Sequence, residues 1–154
     1  MLRLALAWIH LLALGIGLAA IWARARALSA ATDMSHLKRA FTADAWWGIA
    51  AGLWITSGLW RWGAGTEKDP GYYMSNHAFF AKMGLFVLIF ALEIYPMVTL
   101  IRWRGRMRRE GTSVDFTALR ATATRISTIS YAQCLIIIVM VLAAVAMARG
   151  YGAS

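Results

Sequence analysis

The side chains able to do chemistry in this sequence stand where lipid or a packed core would have to surround them: His10, Lys82, Glu93 and Gln133, with His77 just upstream of Lys82. A neutral imidazole is the commonest protein-supplied ligand of haem iron. Gly17 follows His10 by seven residues, which returns a helix to nearly the same face. A residue of zero size there lets a partner helix or a flat ligand lie against the backbone. His10 therefore reads either as a ligand of haem b or as a histidine bonded to a neighbouring helix. His77, or Met74 three residues before it, could complete six-coordination, although a loop histidine needs no ligand to explain it. Lys82 could snorkel to the interface, or pair with a haem propionate or a substrate carboxylate.

Glu93 stands three residues before Pro96. Proline has no amide hydrogen, so the carbonyl of Leu92 is expected to be released towards any donor in the bundle. A carboxylate in lipid is costly unless it faces the interior and finds a partner. Arg24, Gln133, Tyr131 and Ser127 are the candidates. A fixed ion pair and a proton-relay carboxylate both fit. Asp44 and Arg125, at the mouths of their helices, are expected to reach water, and His36 is assigned no role.

The elements that must position these residues are apolar. Of 154 residues 60% are hydrophobic, and mean hydropathy is +0.59, against about 45–50% apolar usage in soluble domains. Apolar runs at about 4–23, 43–62, 79–101 and 126–147 are each long enough to cross a bilayer, which takes about 20 residues. The fold class is thus all-α, an integral membrane four-helix bundle forming a single domain over 1–154. Arg24 and Arg26 close the first run like a stop-transfer flank, so it is read as a retained helix and not a signal peptide. Rings such as Trp8, Trp46, Trp47, Trp60, Trp62 and Trp103 lie near the proposed ends, where the headgroup layer suits them.

A net charge of +9 does not here mean nucleic acid, because the basic residues flank apolar runs. Eleven of the sixteen Lys and Arg follow spans one and three, including Lys38, Arg39 and the set from Arg102 to Arg109, and four lie on the opposite side. The positive-inside rule then makes that flank cytoplasmic and puts both termini in the periplasm. Thr32 or Asp33 is expected to cap helix two, with Met34, Leu37 and Phe41 as a stripe behind it, and Ser113 or Asp115 to cap helix four. Asp69-Pro70-Gly71 marks a turn in a short outer loop. Cys134, the one cysteine, cannot form an intramolecular disulfide and reads as a packing residue. Gly48-x-x-x-Gly52 permits close helix packing within the chain or in a homodimer.

The strings Asp44-Ala-Trp-Trp-Gly, Gly58-Leu-Trp-Arg61, Ala81-Lys-Met-Gly-Leu-Phe86 and Glu93-Ile-Tyr-Pro96 resemble a bacterial four-helix membrane family designated domain of unknown function 2214, over nearly the whole chain. That resemblance implies a bacterial inner-membrane location and no activity. More distantly the layout is similar to HemJ-type protoporphyrinogen oxidases, which associate with haem b, and to CopD-like proteins. It implies that His10 matches a first-helix histidine, Arg24 the arginine closing that helix, Lys38 and Arg39 a basic pair before helix two, and Lys82 a lysine of helix three. The sequence departs in lacking a proline before Arg24 and a histidine next to Lys82.

The expectation is therefore haem b in the outer half, with His10 and then His77 as iron ligands, Gly17 and Lys82 beside the porphyrin, and electron transfer to a quinone, a porphyrin substrate or oxygen. A permease working as a dimer, with Glu93 and Lys82 along its path, is the rival class. A non-catalytic membrane assembly subunit is the third.

Overall fold

The computed structural model describes residues 1–63, 71, 76–110 and 115–151. Over these it comprises four long helices, α1 (Leu2–Ser29), α2 (Met34–Gly63), α3 (His77–Glu110) and α4 (Phe116–Ala148). The starts of α2, α3 and α4 are set by side chains that accept the first free backbone N–H groups. The Asp33 carboxylate accepts from Ser35 N at 2.8 Å and His36 N at 3.1 Å, opening α2. Asp115 does the same for α4 through Thr117 N and Ala118 N, and Asn76 for α3 through Ala78 N and Phe79 N. Ser113, Met74 and the Asp69-Pro70 turn lie outside the described residues. α3 continues through Pro96, so the missing amide does not end it.

Consecutive helices run antiparallel. Along α1 and α2 the contacts descend in step, from His10 with Ser57 through Gly17 with Trp47 to Arg24 with Asp44. α4 lies along the other flank of α1, with Ser127 Oγ donating to the Ala25 carbonyl, and α3 packs on α4. α2 and α3 touch only sparsely. The four therefore form a ring with one loose seam.

Two apolar cores fill the ring. One comprises Ala13, Ile21, Trp47, Trp54, Ile89, Ile137 and Met140; the other, beyond Arg24 towards the α1–α2 turn, comprises Leu28, Leu37, Leu100, Trp103 and Ile126. Met34 and Phe41 pack against the second core as their stripe anticipates, and Cys134 is a free thiol buried in the first. Trp47 and Trp103 are buried and are not interfacial rings as expected. Their neighbours Trp46, Trp60 and Trp62 do face outward.

α1, α3 and α4 are long and apolar enough to cross a membrane; α2 is not. Tryptophan, glycine, serine and threonine lower its average, since an indole counts as nearly neutral on a hydropathy scale. α2 nevertheless carries an outward row of large apolar side chains, Trp46, Ile49, Leu53, Leu59 and Trp60. All four helices outrun the apolar stretches read from sequence, most clearly α3, which continues to Glu110.

Candidate functional site: a buried arginine joined to every helix

Arg24 is 0% exposed, at the level where the two cores meet. A guanidinium offers five N–H donors in a fixed planar fork. Each has an acceptor here. Nε donates to Ser130 Oγ at 3.1 Å. Nη1 donates to Glu93 Oε1 at 2.5 Å and to Asp44 Oδ1 at 3.0 Å. Nη2 donates to Glu93 Oε2 at 2.7 Å and to Gln133 Oε1 at 3.1 Å. The Arg24–Glu93 pair is thus bidentate, the strongest geometry such a pair can adopt.

The cluster takes one group or more from each helix: Arg24 from α1, Asp44 from α2, Glu93 from α3, and Ser130 and Gln133 from α4. Arg104 of α3, one-third exposed, donates from Nη2 to Asp44 Oδ2 at 3.1 Å and to the Phe41 carbonyl. Two cations and two anions leave the assembly neutral. That balance is what a charge group inside a low-dielectric bundle requires.

Of the partners expected for Glu93, Arg24 and Gln133 are its partners; Ser127 bonds the Ala25 carbonyl and Tyr131 packs edge-on against Trp22 at 5.2 Å. Gln133 Nε2 donates to Glu93 Oε2 at 2.9 Å and to the carbonyl of Ile89 at 3.1 Å, not to that of Leu92. Asp44 does not simply reach water as expected: it is held between Arg24 and Arg104. Arg125 is exposed and lies over the Tyr95 ring, 5.9 Å from its centroid. His36 bonds back to Asp33 at 3.0 Å.

The second polar group is at the other end of the bundle. Trp54 Nε1 donates to His10 Nε2 at 3.0 Å, which makes that nitrogen the acceptor and puts the ring proton on Nδ1. His10 Nδ1 then donates to Ser57 Oγ at 3.0 Å, and Ser57 Oγ donates to the Trp54 carbonyl at 3.1 Å. Gly58 is where the imidazole leans on α2: a Cβ there would stand 3.2 Å from His10 Cε1. Both ring nitrogens of His10 are therefore engaged by α2.

The residues expected around haem b do not fit that group as packed. The Nε2 lone pair that would ligate iron is occupied by the Trp54 indole. Gly17 clears room for Trp47, whose ring edge would be 3.0 Å from an added Cβ, and not for a porphyrin. His77 is exposed at the first position of α3, and Lys82 is half-buried and engaged in an interaction of its own. Among the described residues the structure brings His10 together with Ser57 and Trp54 of α2. Among the described residues no group of three or more His, Cys, Asp or Glu could hold a metal ion.

Sequence reasoning took Arg24 as a flank and a possible partner of Glu93, and missed it as the hub. A signal was available. Ala13, Gly17, Ala20, Ile21, Arg24 and Leu28 follow one helical stripe, and all are buried. On α2, Leu37, Ala40, Asp44, Trp47, Ala51 and Trp54 repeat at alternating spacings of three and four, placing Asp44 inward.

A family model described as Predicted membrane protein (DUF2214) matches residues 2–152. No curated protein and no solved structure matches the chain.

Proposed function

The chain belongs to this family of predicted membrane proteins, and from that premise we propose that it is a non-catalytic assembly subunit of the bacterial inner membrane, a bundle of four spanning helices whose polar centre fixes helix register. The observation carrying this reading is the saturation of Arg24: all five donors are taken by protein acceptors from the other three helices. A substrate or ion held there would have to displace Glu93, Asp44 or Gln133. A second observation weighs against a pathway. His10 and Arg24 are fourteen residues apart on α1, about 21 Å at 1.5 Å per residue, and Ile21, Trp47, Ala51, Ile89 and Ile137 fill the interior of that half.

In this reading both termini face the periplasm and the Lys38 and Arg102 flanks face the cytoplasm. α2 then spans with its Gly48 and Gly52 face outward, where an added Cβ would meet nothing, so a second copy or a partner helix could pack there. Single cysteines at Thr32 and Tyr151, in a Cys134→Ala background, report the orientation: an impermeant maleimide applied to intact cells should label Tyr151→Cys alone.

The haem redox and permease readings are separated from this one by two measurements on the purified protein. Expression with ample haem should yield no Soret band, and proteoliposomes should show no Glu93-dependent proton or ion flux. A Soret band abolished by His10→Ala and kept in His36→Ala would establish haem b, with Trp54 and Ser57 releasing the imidazole on binding. Flux lost in Glu93→Gln would establish the permease.

A further inference from the structure

We propose that the groove between α1 and the first turns of α2 is a binding site for one anionic phospholipid, with its phosphate at Lys38 and Arg39 and an acyl chain laid along Ala23, Ala19 and Ile16. The groove encloses about 520 Å³ and is floored by those three residues on α1 and by Thr42, Ala43 and Trp46 on α2. Ile16, Ala19 and Ala23 recur at spacings of three and four, on one outward stripe of α1. Two alanines where its neighbours Trp22 and Leu12 are large leave a channel rather than a ridge. From Ala23 to Ile16, as from Arg39 to Trp46, is seven residues, so the channel runs about 10 Å into the apolar zone.

The charged end is what selects the occupant. Lys38 and Arg39 are exposed where α2 leaves the apolar stretch, the level of lipid headgroups. Neither makes an ion pair among the described residues. The carboxylates nearest along the chain are already committed, Asp33 to Ser35 and His36 and Asp44 to Arg24 and Arg104. Two cations above an apolar channel complement a phosphodiester attached to a hydrocarbon chain; a zwitterionic headgroup carries the same phosphate but adds an ammonium that Lys38 and Arg39 repel, so a headgroup of net negative charge is favoured. A second recess of about 290 Å³ adjoins the first across Thr42 and Trp46, lined by Phe41, Ala45, Ile49 and Arg104. A diacyl lipid would straddle Trp46, one chain in each recess. The site requires only that α1 and α2 cross the bilayer, and stands or falls apart from the assembly role proposed above.

Native mass spectrometry of the detergent-purified protein, titrated with dioleoylphosphatidylglycerol or dioleoylphosphatidylcholine, tests this. The expected result is one retained phosphatidylglycerol per chain, at an affinity on the order of tenfold above that for phosphatidylcholine, since each basic residue at a surface contributes a few-fold or more. Lys38→Ala/Arg39→Ala should remove the preference. Ala23→Phe, which blocks the channel and leaves the charges, should weaken retention of both lipids. Arg108→Ala/Arg109→Ala deletes the same charge elsewhere on α3 and should change nothing. Equal retention of the two lipids, or an equal loss in the Arg108/Arg109 variant, would overturn the site in favour of a diffuse basic surface. Displacement of phosphatidylglycerol by millimolar inorganic phosphate would overturn it in favour of a small-anion site.

Discussion

Removing Arg24 while keeping its partners tests the register lock most directly. In Arg24→Leu the Glu93 carboxylate, buried among Ile89, Gln133 and the first core, keeps one amide donor and loses both N–H bonds of the guanidinium. Asp44 loses its 3.0 Å contact but keeps Arg104 at 3.1 Å. Breaking one side of a buried pair costs about 3–5 kcal/mol, because the surviving charge is left without compensation. For a chain of this size each kcal/mol moves the melting temperature by about 2–4 °C, so the single variant should melt roughly 6–20 °C lower. Glu93→Leu should fall by a comparable amount, with Asp44 then the one carboxylate left to Arg24 beside Ser130 and Gln133.

The double variant Arg24→Leu/Glu93→Leu is the decisive member of the cycle. It removes one cation and one anion, leaves Asp44 paired with Arg104, and replaces an ion pair by hydrocarbon of similar volume, a change that is often neutral or stabilising. Its melting temperature, read by fluorescence-detected size exclusion in a mild detergent, should recover at least half of the loss seen in either single variant. A double-variant loss smaller than the sum of the two single losses by more than about 1 kcal/mol is the coupling expected of residues in direct contact. Additive losses in the double variant, or a Glu93→Leu protein as stable as the wild type, would show that the two side chains do not act as a pair and would refute the lock. Arg24→Lys should rescue poorly, because three rotating donors cannot match five fixed ones.

Gly17→Ala should destabilise by about 1–3 kcal/mol, as expected of overpacking against a rigid ring, since its Cβ would press on Trp47 at 3.0 Å. Gly48→Ala and Gly52→Ala, which meet nothing within 4 Å, should be neutral or gain up to about 1 kcal/mol in helix propensity in detergent monomers. Trp54→Phe deletes the donor to His10 Nε2 and leaves a part-buried acceptor without that bond, so it should lower stability by about 1–3 kcal/mol in detergent melts. Hydrogen bonds from Ser35 and His36 hold the exposed Asp33 carboxyl down to about 2 from 3.8. A depressed carboxylate stabilises the fold above its unfolded pKa and loses that contribution as pH falls through the folded one. The melting temperatures of wild type and Asp33→Ala should therefore differ above about pH 4 and converge near pH 2.

How much of this was legible in the chain depends on which physical signal each residue carried. The helices were legible because lipid demands apolar length, and the caps at Asp33 and Asp115 because a carboxylate before an apolar run has few other uses. Glu93 was legible as a residue in need of a partner, and Arg24 as one candidate. What could not be read was that Arg24 joins all four helices, because its position at the close of an apolar run gives the same pattern as a topology signal. Only the stripe on which it falls distinguishes a buried arginine from a flanking one. His10 was ambiguous for a similar reason. Depth and a glycine one heptad on are compatible with a flat ligand and with a tryptophan, and Trp47 fills the space that Gly17 leaves. The indole and hydroxyl that occupy the ring nitrogens come from α2, forty-four and forty-seven residues away, a pairing that depends on register and not on local pattern.

The seam between α2 and α3 explains why the lock sits where it does. Apolar packing in lipid does not by itself hold helices together, because lipid tails solvate leucine as well as a neighbouring helix does. α2 is tied closely to α1 by small residues such as Gly17 and Ala50, yet it meets α3 only sparsely, and van der Waals contact alone would leave that edge of the ring weakly joined. Near the loop of α1 and α2 the seam is closed by charge: Arg104 of α3 reaches Asp44 and the Phe41 carbonyl of α2, and Arg24 bridges Asp44 to Glu93 across the interior. Towards the opposite end a ring contact performs the joining, Trp54 of α2 against Phe86 of α3 at 5.4 Å, with the same Trp54 anchored to His10. The two polar groups of this bundle thus mark the two levels at which the loose seam between α2 and α3 is fastened. That accounts for ionisable side chains in a membrane interior without assigning them turnover.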